Sequence, residues 1–390
     1  MNSDHPEAWK AAATALPPPP SPTQARIVVV HSCRTDRNPQ GHECSSQNQA
    51  AARVAALLGY RYGGEYDANA AYELPLYFVP RETVCSLNQA RSLGIRNEDD
   101  LFGGLVPHPY IATKVITHPL LQAGCAAPPG WTGAFGEQVR DVVLPGYSAF
   151  SRADARAAGL RLLADGAVRI KLASGIGGGG QTVAADATAL ERQLGALDDA
   201  QLHEGGVVLE RNLKQVVTHS VGQVRIGRHV ASYCGIQNLT RNNAGEEVYG
   251  GSELLVARGD FEALLVLPHT DEVCTAVAQA CAYHRAALAC FPGMLASRCN
   301  YDVAQGVDDS GAWRSGVLEQ SWRIGGATGA ELAALAAFQA DASLMTVRAA
   351  TTEVYGGTAP PPDADVYFHG VDRDVGAITK YTRTMPYAHP

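Results

Sequence analysis

The sequence predicts an α/β (α+β) fold of two or three packed lobes, and three stretches carry that expectation. The β-branched run Arg26-Ile27-Val28-Val29-Val30-His31 leads through a polar loop into a helical pattern, the opening of a parallel α/β lobe. The apolar run Val168-Arg169-Ile170-Lys171-Leu172 carries a lysine and empties into Ala173-Ser174-Gly175-Ile176-Gly177-Gly178-Gly179-Gly180-Gln181. Two acid-bearing runs, Cys299 to Ala304 and Ser315 to Glu319, flank the turn Asp308-Asp309-Ser310-Gly311 and read as a hairpin.

Bulk properties narrow the function classes. Of the 390 residues, 46% are hydrophobic and 18% charged, the balance of a soluble globular chain. A net charge of -8 argues against nucleic acid or an anionic membrane as partner, while leaving room for a nucleotide in a locally basic pocket. The nine cysteines form no CxxC pair and follow no apolar leader. They read as free thiols of a cytoplasmic protein. No run approaches the length of a membrane span.

In chain order, residues 1–24 hold Pro17-Pro18-Pro19-Pro20-Ser21-Pro22 and read as a disordered or extended tail. After the first strand, the loop from Ser32 to Cys44 is dense in polar groups, and a helix pattern runs from Ser46 to Leu58. His31-x-Cys33 and His42-x-Cys44 offer four zinc-type ligands, but one intervening residue is tighter than zinc spacings, and substrate contact or loop structure is preferred. Leu76 to Pro80 is a strand candidate, and Ala112 to Leu121 starts a new segment after Pro107 and Pro109. Ser151 with Asp154 three residues on caps a helix through Leu163. Helix resumes from Ala187 to Leu197, and Gly206 to Glu210 is a strand ending in an acid. Val216 to Val221 and Arg225 to Tyr233 read as strands joined across Gly222. Helices cover Asp271 to Leu288 and Ala330 to Ala340. The phrase Glu247 to Ser252 recurs closely at Glu353 to Thr358 and reads as a pair of similar turns.

The glycine loop is the chemical signal. Glycine lets backbone N–H groups converge on an anion, and a lysine upstream adds a mobile charge suited to phosphate. Gly175-x-Gly177-x-x-Gly180 also spells the dinucleotide fingerprint, which requires a helix opening on the glycines. Gln181-Thr182-Val183 reads as extended, so the loop joins two strands and the dinucleotide reading recedes.

Lys114, Lys171 with its glycine loop, Val207-Val208-Leu209-Glu210, Asp302 and Leu318-Glu319-Gln320-Ser321-Trp322-Arg323 occur in the order found in the ATP-grasp superfamily. The resemblance runs from about residue 110 to 345, and the whole chain is also similar to a bacterial branch to which no substrate attaches. The fold it implies is three-lobed, of the biotin carboxylase and D-Ala-D-Ala ligase kind. It comprises an N-terminal α/β lobe (25–112), a central lid lobe (113–209) and a C-terminal lobe (210–390), with the nucleotide site between the last two.

The resemblance implies ATP and Mg2+ as cofactors and assigns roles by position. Lys114 and Lys171 would reach the phosphates, with Gly175, Gly177, Gly178, Gly179, Gly180 and Gln181 as a lid over them. Glu210, Arg211 and Leu213 would form the adenine hinge. Asp302, Glu319 and Ser321 would hold metal, and Arg323 would bind the transferred phosphoryl group. The superfamily usually reads Glu-x-Asn-x-Arg at the last motif, and Ser321 stands in place of the asparagine, which bears on a second metal. The ribose-binding acid after the hinge is missing too; Val216 and Val217 occupy that neighbourhood, with Thr218 or His219 as substitutes. The activity implied is ATP-dependent ligation of a small carboxylate with an amine or other nucleophile. A small-molecule kinase or a nucleotide sensor is the alternative. Nucleic acid and membrane are not expected partners, and a homo-oligomer is left open.

Overall fold

The computed structural model describes residues 25–34, 38, 41–173 and 180–387. The proline-rich tail and Gly175, Gly177, Gly178 and Gly179 lie outside the described residues.

The N-terminal lobe is built on three parallel strands, Arg61–Glu65, Ile27–His31 and Leu76–Pro80, in that spatial order. Ile27 to Val30 are fully buried, as a strand covered on both faces must be. Each such side chain contributes about 1.5–3 kcal/mol of burial. The helix His42–Leu58 packs on this sheet and against the later helix Thr328–Ala340. It begins four residues before the apolar spacing predicts. Its first turn is polar, and Asp372 Oδ2 accepts from the His42 N–H at 2.7 Å.

The lid lobe is a four-stranded antiparallel sheet ordered Gly146–Ala149, Val207–Arg211, Val168–Leu172, Gln181–Ala184. Ser151 caps the helix Arg152–Leu163 by accepting from the Asp154 N–H at 3.1 Å, as its spacing predicts. Lys171 pairs with Gln181 and Ile170 with Thr182 across a hairpin, and Gly180 takes φ +70° at its return. A strand therefore follows the glycines, which excludes the dinucleotide arrangement of a helix opening on them.

The C-terminal lobe is an eight-stranded sheet. Its spatial order is Trp313–Ser321, Arg298–Val307, Lys214–Ile226, His229–Arg241, Glu247–Arg258, Thr346–Tyr355, Gly376–Pro386, Asp365–Asp372. The helix Asp271–Cys290 packs against the strands that open this order, and Thr328–Ala340 against Thr346–Tyr355 and Gly376–Pro386.

Two expectations are corrected here. Gly222 is not a turn: one strand runs through it, and the reversal comes after Ile226, where Gly227 has φ +55°. Gly222 is needed for close packing, since a Cβ there would lie 2.3 Å from Cys299 O and 2.4 Å from the Tyr233 ring. The recurring phrase is not a pair of turns either. Glu247 to Ser252 lies within a strand, with a bulge beside Gly251, whereas Glu353 to Tyr355 ends a strand before the turn at Gly356 and Gly357.

Candidate functional site

A cleft of about 1090 Å³ runs between the lid sheet, the large sheet and the start of the helix His42–Leu58. One end is apolar: Leu144, Leu213 and Ala304 form a small buried cluster with Leu318 packed on it, and all four line the cleft beside Glu210 and Arg211. Val143 and Val317 form a lone bridge that ties the base of the lid to the large sheet. Gly316 makes this approach feasible, because a Cβ there would stand 2.5 Å from Leu144 N.

Lys171 sits at the junction of the two sheets and is 2% exposed. Its ammonium pairs with Glu210 Oε1 at 2.9 Å and donates to Leu318 O at 3.4 Å. Leu318 is the extra residue of a bulge on the strand Trp313–Ser321, so its carbonyl leaves the ladder and points at the lysine. Glu210 Oε2 also meets His118 Nε2 at 3.1 Å. Burial pushes the Glu210 carboxyl up, but Lys171 and then His118 outweigh it and hold it down at about 2. Burial lowers His118, which stays neutral against the opposing pull of Glu210. Glu210 lines the cleft, while Lys171 stands one layer behind it.

Asp302 and Glu319 are direct cross-strand partners. Asp302 Oδ1 accepts from Asn300 Nδ2 at 2.8 Å, Gln237 Nε2 at 2.9 Å and Ser220 Oγ at 3.4 Å. Burial, and then the neighbouring Glu319 charge, raise the Asp302 carboxyl to about 6. Lys114 opens the short turn Lys114–Thr117 and reaches Glu319 Oε2 at 2.6 Å. Gln320 holds this segment by donating to Ile111 O at 2.8 Å and Thr113 O at 2.9 Å. Two like charges on facing strands repel unless a cation intervenes. Lys114 answers one of them, and the cleft lies open to both.

Ser321 continues the Glu319 face, and its Oγ accepts from Arg298 Nη1 at 3.2 Å. Arg298 also donates to Arg323 O at 2.7 Å and forks onto Glu331, at 2.7 Å and 3.2 Å, inside the core. Arg323 lines the cleft and donates to Ile324 O at 3.0 Å. Gln181 lines it as well, accepting from Arg169 Nη1 at 3.1 Å; Gly180 forms the return of the hairpin that carries Gln181. Of the two ribose candidates, Thr218 lines the cleft, while His219 faces away onto Gln305 Oε1 at 3.0 Å. The Arg211 N–H is already committed to Pro145 O at 2.9 Å, and its guanidinium pairs with Asp165 and Asp308.

Sequence reasoning passed over several lining residues. Arg169 stands two places from Lys171 on the same strand face and was legible from that spacing. Asn300, Gln237 and Ser220 are single polar residues that only strand register brings onto Asp302. The far end of the cleft holds the cross-strand pair Glu353 and Lys380, 2.9 Å apart, with Tyr249, Tyr355 and Tyr367. None of these stands in a motif. The His31, Cys33, His42 and Cys44 groups do not assemble: among the described residues, no cluster of three or more His, Cys, Asp or Glu has metal-site geometry.

The fold matches a known structure over nearly its whole length. N5-carboxyaminoimidazole synthetase from Staphylococcus aureus, solved in complex with ADP, superimposes with a TM-score of 0.53 at 12% identity, covering 92% of this chain and 93% of that one. D-alanyl-alanine synthetase A from Vibrio cholerae aligns at a TM-score of 0.48 and 10% identity, over 78% and 90% of the two chains. Phosphoribosylamine–glycine ligase from Thermotoga maritima aligns at 0.48 and 12%, over 93% of each. The architecture is that of the ATP-grasp fold, as the order of motifs implied. No curated protein sequence matches the chain. No helix among the described residues is long and apolar enough to cross a membrane. A family model matches residues 29–382, and the chain belongs to that family, described as "Protein of unknown function (DUF3182)".

Proposed function

We propose that this protein is an ATP-dependent ligase that activates a small carboxylate as an acyl phosphate for attack by an amine or another nucleophile. The observation that carries the reading is the facing pair Asp302 and Glu319, with Lys114 on one carboxylate and the Lys171–Glu210 pair beside the same strand. In this reading the purine occupies the apolar end formed by Leu144, Leu213, Ala304 and Leu318, with Glu210 at its edge. Thr218, which lines the cleft, would meet the ribose.

The donor set fits magnesium, which takes oxygen ligands. Asp302 is held short of full ionisation by burial and by Glu319, a conflict that a divalent cation resolves. Asp302 and Glu319 would hold the ion, which supplies charge neutralisation and alignment of phosphate oxygens. The chain's own groups do the rest. Asn300 and Gln237 fix Asp302, which lines the cleft, by donating to its Oδ1. Lys171 forms a charge pair with Glu210 and donates to Leu318 O, which leaves ammonium protons for a phosphate once the lid closes. Arg323 clamps the transferred phosphoryl group, and such preorganised charge is the main source of rate in phosphoryl transfer.

The test is ADP release in Mg-ATP, screened over amino acids, peptides and small carboxylates, with hydroxylamine added to trap an acyl phosphate. A hydroxamate with ADP release supports ligation; ADP release with no hydroxamate replaces it with a kinase. Asp302→Asn should lose turnover by far more than Mg-ATP affinity. A fully active variant removes Asp302 from the metal site. One observation favours a second reading, a nucleotide sensor. Ser321 stands where a second metal ligand is expected, and Arg298 presents a cation there. A sensor would bind Mg-ATP and release no ADP with any substrate.

A further inference from the structure

A phosphate-binding lysine needs one partner to stay ionised when buried, yet the partner of Lys171 has a partner of its own. Lys171, Glu210 and His118 form a row of three buried titratable side chains drawn from three separate pieces of chain. We infer that His118 is a positioning residue for Lys171, acting through Glu210; this rests on the nucleotide reading above.

The geometry runs as follows. A carboxylate held only by a lysine can turn about its last bond and carry the ammonium with it. His118 Nε2, at 3.1 Å, fixes Oε2 and leaves Oε1 as the one oxygen facing Lys171. Because burial keeps the imidazole neutral, facing a carboxylate requires the proton on Nε2, so His118 is the donor. Its Nδ1 is then an acceptor, buried and without a hydrogen-bond partner among the described residues.

The backbone is shaped around the ring. Gly146 is the register partner of Glu210, and a Cβ on it would lie 2.8 Å from His118 Nδ1 and Cε1. The segment bearing His118 is tied to the same lid strand, where Ser148 Oγ donates to Val115 O at 2.5 Å and Ser148 N to Pro119 O at 2.9 Å. Five consecutive residues thus set both lysines. Lys114 meets Glu319 directly, and His118 steers Lys171 through Glu210.

The test compares full-length wild type, His118→Leu and His118→Gln, the last retaining a side-chain N–H donor. Mg-ATP affinity is read by titration calorimetry, and the wild-type imidazole tautomer by ¹⁵N NMR of labelled histidine. Loss of one hydrogen bond to a charged group predicts about tenfold weaker Mg-ATP binding for His118→Leu, with His118→Gln recovering most of it. The wild-type spectrum should show a neutral ring protonated on Nε2 at pH 7. Equal affinity in wild type and His118→Leu overturns the inference and leaves the nucleotide reading standing. If His118→Leu does not fold, the spectrum decides: an imidazolium, or a proton on Nδ1, overturns it. A wild type that binds no Mg-ATP overturns the nucleotide reading, and the inference falls with it.

Discussion

Lys171 has both its anchors before any ligand arrives, and this changes what its removal does. Deleting the ammonium leaves Glu210 as a buried, unbalanced carboxylate, which costs about 3–5 kcal/mol. Lys171→Met should therefore lower unfolding stability by that order as well as Mg-ATP binding. Adding Glu210→Gln should restore most of the stability in urea titrations without restoring the nucleotide. The same pair has a pH signature. Glu210 is depressed to about 2 from the ordinary 4.5, so its contribution is fully present above the unfolded value and is lost as pH falls through the folded one. Wild-type melting temperature should decline between about pH 5 and 2 more steeply than that of Glu210→Gln. Residues of this kind were half legible. A lysine inside a β-branched run, or acids on strand candidates, are anomalies that sequence displays. His118, Gln237 and Asn300 look like any polar residue until register and burial bring them onto a carboxylate.

At the scale of elements, the hinge between the lid and the metal-bearing strand depends on a missing side chain. Gly316→Ala would place a methyl 2.5 Å from Leu144 N, and backbone has nowhere to go there. Overpacking of this kind costs about 1–3 kcal/mol, and it should also weaken Mg-ATP by moving Leu318 away from Lys171. Stability and calorimetry on one variant check both; an unchanged affinity would separate the bridge from the site. The hairpin around Lys171, the helix capped by Ser151 and the pair of acid strands were readable because each has strong local grammar. The strands Thr346–Tyr355, Asp365–Asp372 and Gly376–Pro386 were not anticipated. Asp365–Asp372 and Gly376–Pro386 lack a clean alternation of buried and exposed residues, and Thr346–Tyr355 alternates only through Val347, Ala349 and Thr351, two of them small or polar. Gly222 misled for the opposite reason: a glycine demanded by packing imitates one demanded by a turn.

At the scale of the molecule, the three-lobed plan followed from the order of motifs, but the joints between lobes did not. The C-terminal strands clasp the first helix: Asp372 accepts from the His42 N–H, Arg53 pairs with Asp365 at 2.8 Å and lies over Tyr367. Removing a cap costs about 0.5–2 kcal/mol. Asp372→Ala should therefore speed amide exchange in the first turn of His42–Leu58 by several-fold while leaving the lid strands unchanged. Uniform acceleration across all lobes would mean that the clasp is not local.

That clasp also gives the chain a schedule. The acceptor for the His42 amide lies 330 residues downstream. At about 5–20 residues per second, a ribosome delivers it some 15–65 s after the helix itself has emerged. For that interval the first lobe stands with an open helix end beside the polar loop that precedes it. A chain halted before residue 372 never closes it. Strands made late complete a lobe made early.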